Sequence, residues 1–371
     1  MKLKKIISSA VAAALCALSL TGCSSSITSS DGGKSGDPSS VTSTAENSST
    51  PESSDISAPE SSAPESSDTG DVLTPPTENI KVVALKGPTA MGLTKLMDDN
   101  EKNGFGYDFE IKAAPDEISP MAAQGTADIF CVPANLAAVL CSKTEGKVQA
   151  IAINTLGVLY ICEKGETVTS IADLKGKKIY SAGKCSTPEY ALNFILSSNG
   201  IDPENDVTIE WKSEHAECLA AMLAGENCVA MLPQPFVTTA QAKNEEVRVA
   251  IDLNDAWDDL GVDSSLITGA AIVRTEFAEQ HPETVNSFLA KYAESVEYVN
   301  GNIDEAAELI EKYDIVPAAV AKKAIPNCHI VCIKGNEMKE KLSGYLKVLF
   351  DTDPASVGGS LPADTFYYIG G

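Results

Sequence analysis

The chain is short of histidine. Across 371 residues only His215, His281 and His329 occur. They stand far apart and none has the spacing of metal ligands, which argues against a His-rich zinc or iron site. It is also short of basic charge. Lys and Arg number 28 against 52 Asp and Glu, for a net charge of −24. Phosphate recognition needs clustered Lys and Arg, so this balance argues against nonspecific binding to nucleic acid or to an anionic membrane surface. Beyond the N-terminal segment no apolar stretch reaches the roughly 18 residues that a spanning helix needs. No two of the ten cysteines are adjacent.

What is present divides into three materials. Residues 1–22 open with Lys2, Lys4 and Lys5 and then run uncharged to Leu20. This is the basic and apolar pattern of a secretory signal, too short for a spanning helix. It ends in Leu20-Thr21-Gly22-Cys23, which resembles a bacterial lipoprotein signal. That resemblance implies acylation (palmitate included) at Cys23 and a membrane held through lipid. Residues 24–79 follow, and 18 of these 56 residues are serine, with Pro-Glu-Ser-Ser recurring at 51–54, 59–62 and 64–67. With almost no large apolar side chains, the segment cannot offset the entropy of ordering, and it reads as a disordered tether. As a coil its mean reach is about 40 Å. Residues 80–371 are ordinary globular sequence with a net charge of −18 and eight cysteines.

In that body strand and helix signals alternate. Ile80–Leu85 has strand length. Gly87-Pro88 opens a helical stretch in which Ala90, Leu93 and Met97 share a face, and Gly104 closes it. Short strands are expected at Tyr107–Ala113, Ile129–Val132, Val148–Ile153 and Val158–Cys162. The pattern then restarts near Ile179, and the last third is mainly helical. The βαβα rhythm predicts mostly parallel α/β sheets. Two α/β lobes follow, with ligands expected beyond the carboxyl ends of strands.

The run Ser170-Ile171-Ala172-Asp173-Leu174-Lys175-Gly176-Lys177-Lys178-Ile179, with Gly183 after it, resembles the start of the second lobe in the type II periplasmic-binding-protein superfamily. More narrowly it is similar to the nitrate/sulfonate/taurine and thiamine-pyrimidine-precursor group of ABC-transporter substrate-binding proteins. Gln124–Ile129, Leu223–Ala230 with Gln234-Pro235, and Phe277–Val285 agree with that group's motifs. The departure is Asn227-Cys228, where the group has an Asp. The resemblance implies an α/β, two-lobed fold with a cleft between lobes joined by two crossing strands. One lobe is residues 80–160 with 265–371, the other 161–264. It also implies a monomeric receptor on the extracytoplasmic face of a bacterial membrane, handing a small solute to an ABC permease. No catalysis and no cofactor are implied.

Most candidate ligand contacts, all but Thr155 and Gly157 near the first crossing, lie where strands run into helices. Free N–H groups and the helix dipole there favour an anion or a carbonyl oxygen. The first loop offers Gly87, Pro88, Thr89, Ala90 and Met91. The facing loop offers Lys184, Ser186 and Thr187, with Thr187 read as the helix cap before Pro188. Asn135, Thr155, Gly157 and Gln234 complete the set. These loops contain no aromatic residue on which a heterocycle could stack, which tilts the reading towards a small polar or anionic solute. A receptor for a pyrimidine-like heterocycle, a ligand sensor, and an exported enzyme remain as alternatives. Cys131, Cys141, Cys162, Cys228 and Cys332 read as small core residues. Cys328 and Cys332 are close enough in sequence to pair. Cys185 precedes a helix start, where a thiol is activated, but no histidine is near in sequence.

Overall fold

The computed structural model describes residues 79–370. The signal, Cys23 and nearly all of the tether lie outside the described residues. The strands among the described residues are β1 (Ile80–Leu85), β2 (Tyr107–Lys112), β3 (Ile129–Pro133), β4 (Val148–Leu156), β5 (Leu159–Lys164), β6 (Lys178–Ala182), β7 (Thr208–Lys212), β8 (Cys228–Pro233), β9 (Val247–Asp252), β10 (Ile267–Arg274) and β11 (Ile330–Ile333). The helices are α1 (Pro88–Met91), α2 (Thr94–Asn103), α3 (Pro115–Gln124), α4 (Ala134–Lys143), α5 (Thr187–Ser198), α6 (His215–Ala224), α7 (Phe236–Lys243), α8 (Leu253–Asp258), α9 (Thr275–Gln280), α10 (Pro282–Gly301), α11 (Ile303–Lys312), α12 (Ala318–Ala324) and α13 (Gly335–Thr352).

The strands form two sheets. One has the order β11-β4-β10-β3-β1-β2 and the other β7-β6-β8-β5-β9. Each sheet is the centre of one lobe. The chain leaves the first sheet at the end of β4, enters the second as β5, and returns as β10. The expectation of mostly parallel sheets needs correction. β1 with β2 and β3, and β6 with β7 and β8, are parallel. β10 with β3 and β4, β11 with β4, and β5 with β8 and β9 are antiparallel. The strands at the two crossings run against their neighbours, and a period-2 pattern carries no strand direction.

Local sequence explains most elements. All five residues of β3 are buried, as expected for a strand covered on both faces. In α10, Val285, Phe288, Leu289, Tyr292, Val296 and Val299 form one buried stripe at helical spacing, and Pro282 opens the helix. The expected single helix from Gly87 to Gly104 is instead two, α1 and α2, separated at Gly92 and Leu93. A side chain at Gly92 would collide with Ile330 of β11 and Val296 of α10, so this break lets the chain pass close beneath them. Asp128 of the Gly-x-x-Asp motif braces β1, β3 and β10. It accepts from the Lys81 amide (2.9 Å) and pairs with Arg274 (2.7 Å). In the Asp-Leu-Lys-Gly-Lys run, Asp173 accepts from the Thr169 and Ser170 amides and hydroxyls, and these bonds hold its carboxyl down at about 2.

One apolar core runs through both lobes. It joins Val83, Phe130 and Ile153 to Ile161, Ile179 and Leu192 by way of Trp257 and the α13 residues Tyr345, Leu346 and Leu349. The other face of the first sheet packs on α10 and its neighbours, and a smaller core lies on the second sheet. All eight body cysteines are unpaired, so Cys328 and Cys332 are not joined. Cys131, Cys162 and Cys328 are fully buried, and burial pushes each thiol up to about 12.

Candidate functional site

The carboxyl ends of β1, β3 and β4 open on one side of the first sheet. Those of β6, β8 and β9 carry the corresponding loops of the second. The expected contacts all fall on these edges, and they separate into four groups.

The first group lies beneath β1. Gly87 holds φ 130° and ψ −154°, a conformation that side-chain-bearing residues rarely adopt. Its carbonyl accepts from the Ala90 and Met91 amides (3.0 and 3.1 Å), closing the turn that Pro88 begins. Ala90 and Met91 are fully buried in the first lobe's core. Thr89 donates its hydroxyl to Leu85 O (2.5 Å), and Thr155 donates to Asn154 Oδ1 (3.1 Å). All three polar side chains crowd Gly269, where an added Cβ would stand 2.3 Å from Asn154 Oδ1 and 2.8 Å from Thr89 Cγ2.

The second group spans the lobes. Asn135, at the start of α4, accepts through Oδ1 from both the amide and the hydroxyl of Thr187 (3.0 Å each). Its Nδ2 donates to Ser356 O (3.2 Å). Ser356 lies in a short turn (Pro354–Val357) after α13. Asn135 and Thr187 are both 2% exposed. Tyr345 of α13 lies beside them. Burial pushes its phenol well up, and Thr187 eases it slightly down. The expected cap of α5 is corrected here. Ser186 holds the cap position with extended backbone, and Thr187 is the first helical residue. Lys184 is exposed. The loop before α5 folds back on its own helix through the Cys185 amide and Glu189 Oε2 (2.5 Å).

The third group is the crossing itself. Gly157 permits close packing, because a Cβ there would lie 2.4 Å from Asn254 Oδ1. His329 Nδ1 donates to its carbonyl (2.5 Å). Asp252, which caps α8 through the Asn254 amide (2.8 Å), has its carboxyl pushed up by burial.

The fourth group surrounds a cavity of ≈ 390 Å³. Tyr160, Gln234, Thr238 and Gln241 line it from the second lobe, and Lys323 and Asn327 from the first. Val237, Ala242 and Val249 supply its apolar wall. Gln234 Oε1 accepts from the Thr238 hydroxyl (2.9 Å) and amide (3.3 Å), which leaves the donor end of the amide, Nε2, unused by that cap. The Gln234–Pro235 peptide bond is cis. Tyr160 donates to Asn327 O (3.2 Å), a second direct bond between the lobes. Burial, reinforced by Asp252, pushes the Tyr160 phenol well up, so it stays a neutral donor. Lys323 is the one charged residue in the lining.

Of the expected contacts, only Gln234 lines this cavity. Asn135 and Thr187 meet each other, and Thr89 and Thr155 converge on Gly269. Tyr160 falls within the strand expected at Val158–Cys162, and Lys323 and Asn327 carry no motif at all. They arrive from the region after the return crossing, where only the three-dimensional path brings them opposite Gln234. Among the described residues no group of three or more His, Cys, Asp or Glu is placed to hold a metal ion. Among them, too, no helix is long and apolar enough to cross a membrane.

Solved structures share this architecture. An ABC transporter protein of Parabacteroides distasonis superposes with a TM-score of 0.65 at 22% identity, covering 78% of this chain and 98% of its own. The periplasmic aliphatic sulphonate binding protein of Escherichia coli gives 0.63 at 17%, covering 76% and 94%. The periplasmic nitrate-binding protein of Synechocystis gives 0.53 at 13%, covering 71% and 74%. At these identities the likeness shows the two-lobed fold. No curated protein sequence matches the chain. Residues 92–324 match the family described as ABC transporter, phosphonate, periplasmic substrate-binding protein. The two sheets, their two crossings and this match together place the chain in that family, as the extracytoplasmic substrate-binding component of an ABC transporter.

Proposed function

We propose that the protein captures a small oxyanionic solute, of the phosphonate, sulfonate or nitrate class, in the cavity between Gln234 and Lys323. The observation that carries this reading is the chemistry of the lining. Amide donors from Gln234, Gln241 and Asn327 surround the space, Lys323 is the one charge, and no carboxylate contributes. Such a wall accepts a compact anion through charge-assisted hydrogen bonds. The family's phosphonate and the sulphonate and nitrate named for the structural neighbours share that chemistry. Lys184 and Ser186, at the start of α5, lie outside the lining of this cavity. A heterocycle fits less well, since Tyr160 is the only aromatic ring in the lining and stacking wants a flat face.

The test is a thermal-shift series with methylphosphonate, inorganic phosphate, taurine, nitrate and a hydroxymethylpyrimidine. A specific ligand stabilises the native state by mass action, by about 2.7 kcal/mol at a hundredfold excess over Kd. An oxyanion should raise the melting temperature; a shift with the pyrimidine alone would overturn the reading. Delivery to a permease is part of the same proposal, as is lipid attachment at Cys23, which rests on the Leu20–Cys23 run. Cys23→Ala should release the protein from the membrane fraction of the source bacterium, and retention there would count against the anchor.

A further inference from the structure

We infer that Asn135 is a positioning residue that latches the two lobes together, setting the closed population of the receptor without touching its solute. The geometry is specific. Thr187 opens α5 in the second lobe, and its amide is one of the first-turn N–H groups that a helix cannot satisfy itself. Asn135, two residues beyond β3 in the first lobe, satisfies it from across the cleft and takes the Thr187 hydroxyl as well. The Asn135 side chain is itself held by Ser356 O in the turn after α13. Its amide oxygen therefore bonds the second lobe while its amide nitrogen bonds the first. Both residues are buried, so separating the lobes exposes an N–H, a hydroxyl and an amide that are otherwise paired.

The latch also differs in kind from the wall of the cavity. Ser186, one residue before Thr187, occupies the cap position of α5 but makes no cap hydrogen bond with its side chain. The helix start is thus left to a residue of the other lobe. A helix cap supplied in trans couples the integrity of α5 to the lobe orientation. Removing it lowers the fraction of molecules in the closed form, and apparent affinity falls by that same fraction.

The experiment needs no solute, so it can fail independently of the proposed ligand class. Small-angle scattering is recorded on the full ligand-free chain for wild type, Asn135→Ala, Thr187→Val and the double variant. The expected result is a shift of the distance distribution towards longer separations for Asn135→Ala, a smaller one for Thr187→Val, and none beyond Asn135→Ala for the double variant. Exchange of the Thr187 amide should quicken by about 10-fold in Asn135→Ala. Asn135→Asp keeps the accepting oxygen and should restore the compact distribution at least in part. Additive shifts in the double variant, or no shift in any of them, would overturn the latch. So would loss of solute binding in Asn135→Ala with an unchanged distance distribution, which would make Asn135 a ligand contact instead. Should Asn135→Ala not fold, Thr187→Val and Asn135→Asp carry the same comparison, since each leaves part of the pair in place.

Discussion

The two sides of the space between the lobes are built differently. On one side Asn135 grips Thr187, and behind that pair an apolar core continues without interruption from the first sheet to the second. Trp257 is its joint. It is fully buried, lies 4.6 Å from Phe194 of α5 and 5.6 Å from Tyr345 of α13 by ring centroids, and donates to Ser264 O (2.9 Å). On the other side α7 faces α12 across a polar cavity, and the direct bond there is Tyr160 to Asn327 O. Packed apolar surface is lost all at once when it opens, whereas a polar wall exchanges its partners with water at little net cost. Opening should therefore begin between α7 and α12, and it is complete only when the Asn135–Thr187 bonds on the Trp257 side part as well.

The most severe challenge to that contrast is Trp257→Ala. A buried indole removed from a core costs ~3–5 kcal/mol, so the denaturation midpoint should fall steeply. If instead stability is barely altered, the shared core is not the joint. Lys323→Ala acts on the other side. It should weaken oxyanion binding by roughly 3–10-fold in calorimetry and leave the melting temperature unchanged, because the side chain is exposed. Equal binding by the variant would remove the cation from the site. The smallest expected effect is a pH dependence confined to the second lobe. His215 is half-buried as a residue, yet its Nδ1 is buried without a hydrogen-bond partner, and burial pushes the ring down to about 4. The neutral ring is favoured in the folded state. Its contribution to stability is thus complete above about 6.5 and is lost as pH falls from there towards about 4. His215→Phe should flatten the melting-temperature profile across that window; an unchanged slope would show that another group titrates.

Much of the frame was legible. The Asp-Leu-Lys-Gly-Lys run marks the entry to the second sheet because Asp173 has local amides to accept from. The Gly-x-x-Asp run marks β3 because Asp128 must reach Lys81 and Arg274. Gly87 advertises the first loop through a backbone conformation that only glycine adopts readily. Missed were β11, α3, α8 and α9, which are short or only partly buried and so leave a weak apolar period. Strand direction at the crossings was missed for a different reason, since residues alternate faces identically in both senses.

For the site, the sequence alone determined which loops line the inter-lobe edges, because strand-to-helix turns are local and carry Gly, Pro, Ser, Thr and Asn for local reasons. It could not say which of those polar groups stay available. Thr89 and Thr155 spend their hydroxyls locally, on Leu85 O and Asn154, but Thr187 bonds Asn135 across 52 residues and Asn135 bonds Ser356 across 221. Only the tertiary path decided that, and only it brought Lys323 and Asn327 opposite Gln234. Hydrogen-bond satisfaction and charge proximity depend on distance in space, and a linear pattern records neither.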